Sequence, residues 1–394
     1  MSSDPSRFGV GQQMKIYQEG RDHGAPALPV SIEGLRARAI AALPPEAFAY
    51  TGGAGQEETV AANRADFARW RIVPRMFTDI STRSLATTIH GQASVAPLIV
   101  APIGLHELYH AEGELPAARA SAARGIPFAL SCQSSRTIED VAAVMGDAPR
   151  FFQLYWSSNR ELTCSFIHRA EASGFSALVV TLDTRLLGWR PRDLDLGHNP
   201  FLLGKGMANY TSDPVFRAAL AAPPEADRKA AVEHFLTVFN DLAITWADLA
   251  WLRAQTKLPI TLKGILHPDD ARRAVDAGVQ GLIVSNHGGR QVDGSISAIA
   301  ALPAVVEAVA GRLEIGLDSG IRSGADAVKA LALGAHYIGL GRPCVYGLAA
   351  AGESGVGWVL DNFAAELDLT LALSGCSSPA QLGREMLCSD SYPA

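Results

Sequence analysis

Short continuous apolar runs, each closed by small or polar residues and followed by an alanine-rich stretch, recur along the chain from residue 97 to residue 340. Eight have β-type composition: 97–101 (PLIVA), 127–131 (PFALS), 150–155 (RFFQLY), 177–182 (ALVVTL), 259–263 (PITLK), 281–285 (GLIVS), 314–318 (EIGLD) and 336–340 (HYIGL). Their lack of alternation predicts strands covered on both faces, as in a parallel sheet. The intervening stretches read as helices. One opens Pro268-Asp269-Asp270, with proline and acids in its first turn, and meets Gly278 just past its end. Strands alternating with helices in this way predict an α/β protein, a (β/α)8 TIM barrel.

The spacing is uneven at one step. From Leu182 to Lys263 the chain takes about three times the length of the other strand-to-strand steps. A long insertion after a barrel strand lies over the C-terminal face, so residues 190–245 are expected to form a lid. Residues 1–95 are expected to be a helical segment flanking the barrel, and 96–394 the barrel itself.

Composition narrows the class. Of the 394 residues 48% are hydrophobic and 19% charged, enough for a large core and too apolar for disorder. The net charge of −6, without a basic run, argues against nucleic-acid or anionic-membrane partners. No run approaches the ~18 apolar residues that span a bilayer. The first residues lack the apolar core of a secretion signal, and the five cysteines are scattered without a CxxC pair. These features predict a cytoplasmic protein with reduced thiols and neither a disulfide frame nor a metal site. Cys132 reads as a packing residue.

Barrel enzymes carry their chemistry at the C-terminal strand ends. Here those ends are polar throughout: Ser131, Gln153 with Tyr155, Thr181 with Asp183, Lys263, Ser285, Asp318 and Arg342. The densest cluster is Ser285-Asn286-His287-Gly288-Gly289-Arg290-Gln291. His287 is the side chain suited to move a proton near neutral pH, and Arg290 can grip a carboxylate with two hydrogen bonds. Asp183 can orient the His287 imidazole, and Arg190 can serve as a second carboxylate clamp. An inward Lys263 demands an anionic partner. The loops Asp318–Gly324 and Gly339–Arg342 follow strands 7 and 8, where barrels commonly seat a phosphate. No GxGxxG turn follows an early strand, which favours a mononucleotide over a dinucleotide.

SNHGGRQ, preceded by LKG and followed by DSGIRSG and GLGRP, resembles the FMN-dependent 2-hydroxy acid oxidase and dehydrogenase family from about Leu43 to Leu382. LDTRLLGWRPRDL, NPFLLGKGMANYTSDPVF and LKGILHPDDARRAVDAGV are most similar to its lactate 2-monooxygenase branch. The resemblance implies FMN as cofactor, a small L-2-hydroxy acid and O2 as substrates, and a homotetramer or octamer. It implies His287 as base with Asp183 as its partner, Arg190 and Arg290 on the substrate carboxylate, and Tyr50 and Tyr155 in the substrate pocket. The flavin ring would lie against Ala101, Pro102, Ile103 and Gly104. Ser131, Gln153 and Thr181 would bond its polar edge, with Lys263 near N1 and Ser285 on the ribityl chain. Asp318, Ser319, Gly320, Arg322, Gly341 and Arg342 would surround the phosphate. The AYTGGAG stretch around Tyr50 is one residue shorter than the family pattern, and Gln133 replaces a bulky aromatic. Gly104 stands where many oxidases have alanine, leaving more room beside flavin N5.

The implied reaction takes a proton from the hydroxy acid at His287 while two electrons reach the flavin, as a hydride or through a carbanion. If the keto acid leaves first, hydrogen peroxide is released; if the lid retains it, acetate, CO2 and water result. A quinone- or cytochrome-coupled dehydrogenase is an alternative. A non-redox barrel acting on a phosphorylated metabolite is another, and it leaves His287, Asp183, Arg190 and Arg290 without purpose.

Overall fold

The computed structural model describes residues 8–389. The outermost residues of the two expected segments, 1–7 and 390–394, lie outside that range. Eight parallel strands close a barrel: β1 (Leu98–Val100), β2 (Phe128–Ser131), β3 (Arg150–Leu154), β4 (Ala177–Thr181), β5 (Ile260–Ile265), β6 (Gly281–Val284), β7 (Glu314–Leu317) and β8 (Tyr337–Leu340). Each hydrogen-bonds to the next and β8 returns to β1, so no edge is left open. Every strand lies within or overlaps a run picked out by the apolar pattern.

Local chemistry explains the helices between. Thr137 caps Ile138–Met145, and Ser323 caps Gly324–Ala332, each with an acidic residue returning the bond from the first turn. The barrel interior is a separate small core in which Ile99, Phe151, Val179, Ile283 and Tyr337 meet. Its bottom is plugged by a hairpin, Thr87–Ile89 against Gln92–Ser94. Ile89 joins the interior core, and the His90 ring sits edge-on to Phe151 and Tyr337 with centroids 5.2 and 5.6 Å away. His90 Nε2 is 3.0 Å from Thr261 Oγ1, and Nδ1 is 3.0 Å from Glu314 Oε2. Residues 1–95 are therefore not helical throughout. The hairpin strands and Trp70–Ile72, which pairs with Leu387–Ser389, are three residues long, too short to display an alternating pattern.

The insertion between β4 and β5 is packed. Tyr210 lies fully buried between Phe166, Phe216 and Phe235, with ring centroids 4.9, 5.8 and 4.8 Å away. Asn209 accepts a bond from the Ile138 amide at 2.8 Å and donates to Cys132 O at 3.1 Å. These contacts moor the insertion on the C-terminal end of β2 and on the helices Ile138–Met145 and Arg160–Ala172 that follow β2 and β3.

Candidate active site

Side chains two residues apart on a strand share a face. Moving up two positions from the interior core therefore leads from Phe151 to Gln153, from Val179 to Thr181, from Ile283 to Ser285, and from Ala129 to Ser131. The apolar floor thus gives way to a polar ceiling on the same inward face. Above it lies a cavity lined by Tyr50, Ala101 to Gly104, Tyr109, Ser131, Gln133, Tyr155, Lys263, His287, Arg290, the 318–322 loop, Gly341 and Arg342, among others. Gln153, Asp183, Arg190 and Ser285 hydrogen-bond to Ser131, Lys263, His287 and Arg290 of this lining.

A bulge in β5 builds the corner where Lys263, Asp183 and His287 meet. The ladder to β6 shifts between Lys263 and Ile265, and Gly264 adopts φ 103°. A Cβ there would fall 2.7 Å from Asp183 Cβ, so glycine is what lets Asp183 lie against β5. Lys263 Nζ donates to Ser285 Oγ at 2.9 Å and lies 3.5 Å from both Asp183 Oδ2 and Asp318 Oδ2. Burial alone would lower its pKa, but the two carboxylates outweigh burial and raise it. Asp183 is pulled the other way: burial opposes its charge, yet Lys263 and His287 hold its carboxyl far below the usual range.

His287 Nδ1 lies 2.8 Å from Asp183 Oδ1, and its amide donates to Ser285 Oγ at 3.0 Å. With Asp183 ionised, Nδ1 must carry the proton, which leaves Nε2 as the basic lone pair. Burial lowers the His287 pKa in spite of Asp183, so the imidazole is neutral at neutral pH. Its loop is strapped from below. Asn63 and Asn286 exchange two 2.8 Å amide bonds, and Ala54 N donates to Gly289 O at 2.9 Å.

Arg290 and Arg190 flank one ring: their guanidinium carbons lie 4.9 and 5.9 Å from the Tyr50 centroid. Arg290 donates to Tyr50 O and Gly52 O, whereas Arg190 donates to Arg290 O and, at 2.9 Å, to Gln291 Oε1. Burial first and then the neighbouring Arg290 lower the Arg190 pKa. Buried Arg190 and half-buried Arg290 lie near the Asp193 carboxylate, yet neither forms an ion pair among the described residues, so the two cations make a setting for an anion.

A third cation stands close by: Arg342, like Arg290, donates to Gly52 O. Arg342 lines the cavity while donating to Thr51 O and Gly288 O, each at 2.8 Å. Burial, with Arg290 and Arg322 nearby, pushes its pKa down to about 9. Gly320 has φ 97°, and any Cβ would strike Asn63 O at 2.0 Å. Gln153 Nε2 and Thr181 Oγ1 are buried without hydrogen-bond partners on neighbouring strands. Arginines around glycine loops, together with unpaired polar atoms on β3 and β4, fit a phosphate-bearing cofactor with a polar-edged ring.

Some assignments look different in three dimensions. Ser285, expected on the ribityl chain, is engaged by Lys263 and the His287 amide and is fully buried. Gly104 does not open free space, because a Cβ on it would meet Gln133 O at 2.6 Å. Two site residues escape a reading of the sequence. Tyr109 lines the cavity from a single 3-10 turn with no motif around it, and Thr184 touches both members of the His287–Asp183 pair. Position next to Asp183 is the one available hint for Thr184.

Residues 39–389 match the FMN-dependent dehydrogenase family, and the chain belongs to it. It is 42% identical over 394 residues to an FMN-dependent alpha-hydroxy acid dehydrogenase of Penicillium citrinum, covering 99% of this chain and 98% of the relative. It is 43% identical over 351 residues to an L-lactate oxidase of Lysinibacillus sphaericus, covering 89% and 90%. A crystal structure of mandelate oxidase superposes with a TM-score of 0.80 at 38% identity, covering 92% of this chain and 98% of that one. The protein is an FMN-dependent 2-hydroxy acid oxidoreductase, and the non-redox reading falls. Among the described residues no helix is long and apolar enough to cross a membrane.

Proposed function

We propose that this protein oxidises a small L-2-hydroxy acid, lactate first among them, and retains the keto acid long enough for oxidative decarboxylation. The net reaction is lactate + O2 → acetate + CO2 + H2O. The observation that carries the oxidation is the neutral His287, backed by Asp183, facing the same cavity as Arg290 and Lys263. Bound FMN supplies the two-electron acceptor. Arg290 and Arg190 hold the substrate carboxylate, which orients the 2-carbon toward His287 Nε2. Nε2 then takes the proton, and the imidazolium is stabilised by Asp183. Buried Lys263 keeps a positive charge beside the cofactor and favours electron density arriving there. Tyr155 stays protonated, because burial first and the Asp183 charge second push its pKa up, and it serves as a hydrogen-bond donor.

Retention of the keto acid is supported by the insertion, which is moored through Tyr210 and Asn209. Slow release in such a site decides whether peroxide escapes or reacts in place. An oxidase releasing keto acid and hydrogen peroxide is the second reading, favoured by the relative named an L-lactate oxidase. Five free cysteines support a reducing, cytoplasmic setting. Exposed Leu186, Leu187 and Trp189 beside the cavity offer a surface for assembly into a homotetramer or octamer. The test is aerobic turnover of L-lactate by FMN-loaded protein with acetate, CO2, pyruvate and peroxide quantified. Acetate and CO2 in equal amounts support the monooxygenase. Pyruvate with matching peroxide makes the protein an oxidase, and rapid reduction with slow response to oxygen makes it a dehydrogenase.

A further inference from the structure

Thr184 is buried at the end of β4 and belongs to none of the ligand-gripping groups described above. Its hydroxyl oxygen lies 2.9 Å from Asp183 Oδ1 and 2.9 Å from His287 Nδ1. A hydroxyl offers one proton and two lone pairs. Asp183 is an acceptor only, so the Thr184 proton goes to Oδ1. One lone pair then faces the His287 Nδ1–H. This assignment satisfies Thr184, Asp183 and His287 at once, and it requires the proton on Nδ1. A second partner beside Asp183 also restricts ring rotation, which a single hydrogen bond leaves open.

The insertion reaches the same residue. Asn240, just past the helix Arg228–Val238, donates to Thr184 O at 2.8 Å and to Arg185 O at 3.2 Å. Its neighbours hold the end of β3: the Phe239 ring lies 5.5 Å from the Tyr155 ring, and Asp241 N donates to Trp156 O at 2.8 Å. Residues 239–241 thus bind together the loops that present Tyr155 and Thr184.

We propose that Thr184, held by Asn240, is a positioning residue that fixes the tautomer and orientation of the His287 imidazole. Its role rests on the oxidation of a 2-hydroxy acid proposed above, while the tautomer itself can be read without substrate. The variants are Thr184→Val, which keeps the shape and removes the hydroxyl, Thr184→Ser, which restores it, and Asn240→Ala. In FMN-loaded protein, anaerobic reduction by a 2-hydroxy acid is expected to slow by roughly 10–100-fold in Thr184→Val. The dissociation constant for oxalate should stay within about threefold, because the arginine clamp is untouched. Thr184→Ser should recover most of the rate, and Asn240→Ala should lose roughly 3–10-fold on the same pattern.

Nitrogen-15 histidine NMR, with the His287 signals identified by their loss in His287→Asn, reads the tautomer directly. Wild type should show Nδ1 protonated and Nε2 bare at neutral pH, and Thr184→Val should show mixed tautomers. An unchanged rate and an unchanged tautomer in Thr184→Val overturn the proposal. So does a parallel loss of oxalate affinity that Thr184→Ser does not repair, which marks a merely structural role. If wild type is reduced by no 2-hydroxy acid, the function fails, and the NMR comparison alone decides Thr184.

Discussion

His287 presents its Nδ1 to Asp183 Oδ1 at 2.8 Å from a backbone in the left-handed region, with φ 57°. Such a conformation costs a non-glycine residue on the order of 1 kcal/mol or more and persists where its surroundings over-determine it. Here the surroundings are the Ser285 hydroxyl beneath its amide and the flexible Gly288 and Gly289 after it. The strain aims one imidazole edge at the Asp183 carboxylate while the ring lines the cavity.

Removing the imidazole should therefore remove the chemistry and spare the cofactor. His287→Ala is expected to bind FMN with a normal absorbance spectrum and to lose at least ~10³-fold in anaerobic flavin reduction. Stopped-flow reduction at saturating hydroxy acid checks it. Near-normal reduction would place the base elsewhere.

The pH dependence follows from the direction of the His287 shift. Burial, helped by Lys263 and Arg290, outweighs Asp183 and holds its pKa below the ordinary 6.5. The base works when unprotonated. The rate of reduction at limiting substrate should therefore be flat above about pH 7 and fall toward tenfold per unit as pH drops through the lowered pKa. A midpoint above about pH 7 in His287-intact protein would contradict the neutral imidazole.

Much of this site is legible in the sequence, because barrel topology turns strand ends into neighbours. Ser131, Gln153, Thr181, Lys263, Ser285 and Asp318 end apolar runs, so placing them on one ceiling needs only the strand positions and the period of two. The motif around His287 adds the base and Arg290. What the sequence hides depends on contacts between distant segments. The hairpin around His90 is too short to leave a pattern, yet it stoppers the barrel through Phe151 and Tyr337. Thr184 reads as an ordinary polar residue until the chain brings His287 to it across 103 positions. Gly104 suggests added room, where three-dimensional packing makes it a point of backbone contact.

Lys263 offers a prediction about stability. Lys263→Met removes the cation that lies 3.5 Å from both Asp183 and Asp318 and leaves two largely buried carboxylates without it. Losing one partner of a buried ionic set costs about 3–5 kcal/mol. The variant should unfold at markedly lower urea at pH 7 and recover part of the loss on acidification, as Asp183 or Asp318 takes up a proton. Equal midpoints for variant and wild type at pH 7 would refute the assignment.

Arg290 and Arg190 should both matter for carboxylate affinity. Arg290→Met or Arg190→Met is expected to weaken oxalate binding by roughly 2–5 kcal/mol, and methyl esters should then perform no worse than acids. Titration of the flavin spectrum with oxalate measures this. Oxalate affinity equal to wild type would exclude that arginine from the clamp.

Gly104 separates two explanations of one glycine. If it is there to leave room for ligand or oxygen, alanine should fold normally and alter only the reaction. The geometry says otherwise. Gln133 O, 2.6 Å from where the new Cβ would stand, also accepts the Leu105 amide at 3.0 Å and lies 3.0 Å from where a Cβ on Gly206 would be. No side-chain rotation relieves a clash with a backbone carbonyl already held by the Leu105 amide, so the backbone carrying Gln133 has to shift. Overpacking of this kind costs about 1–3 kcal/mol, or a Tm lower by roughly 2–6 °C. The displaced segment runs straight into Ser131, so the FMN environment should change with it, visible as a shift in flavin absorbance. Thermal unfolding of Gly104→Ala with FMN saturating decides the matter. An unchanged Tm together with altered products would restore the explanation by space.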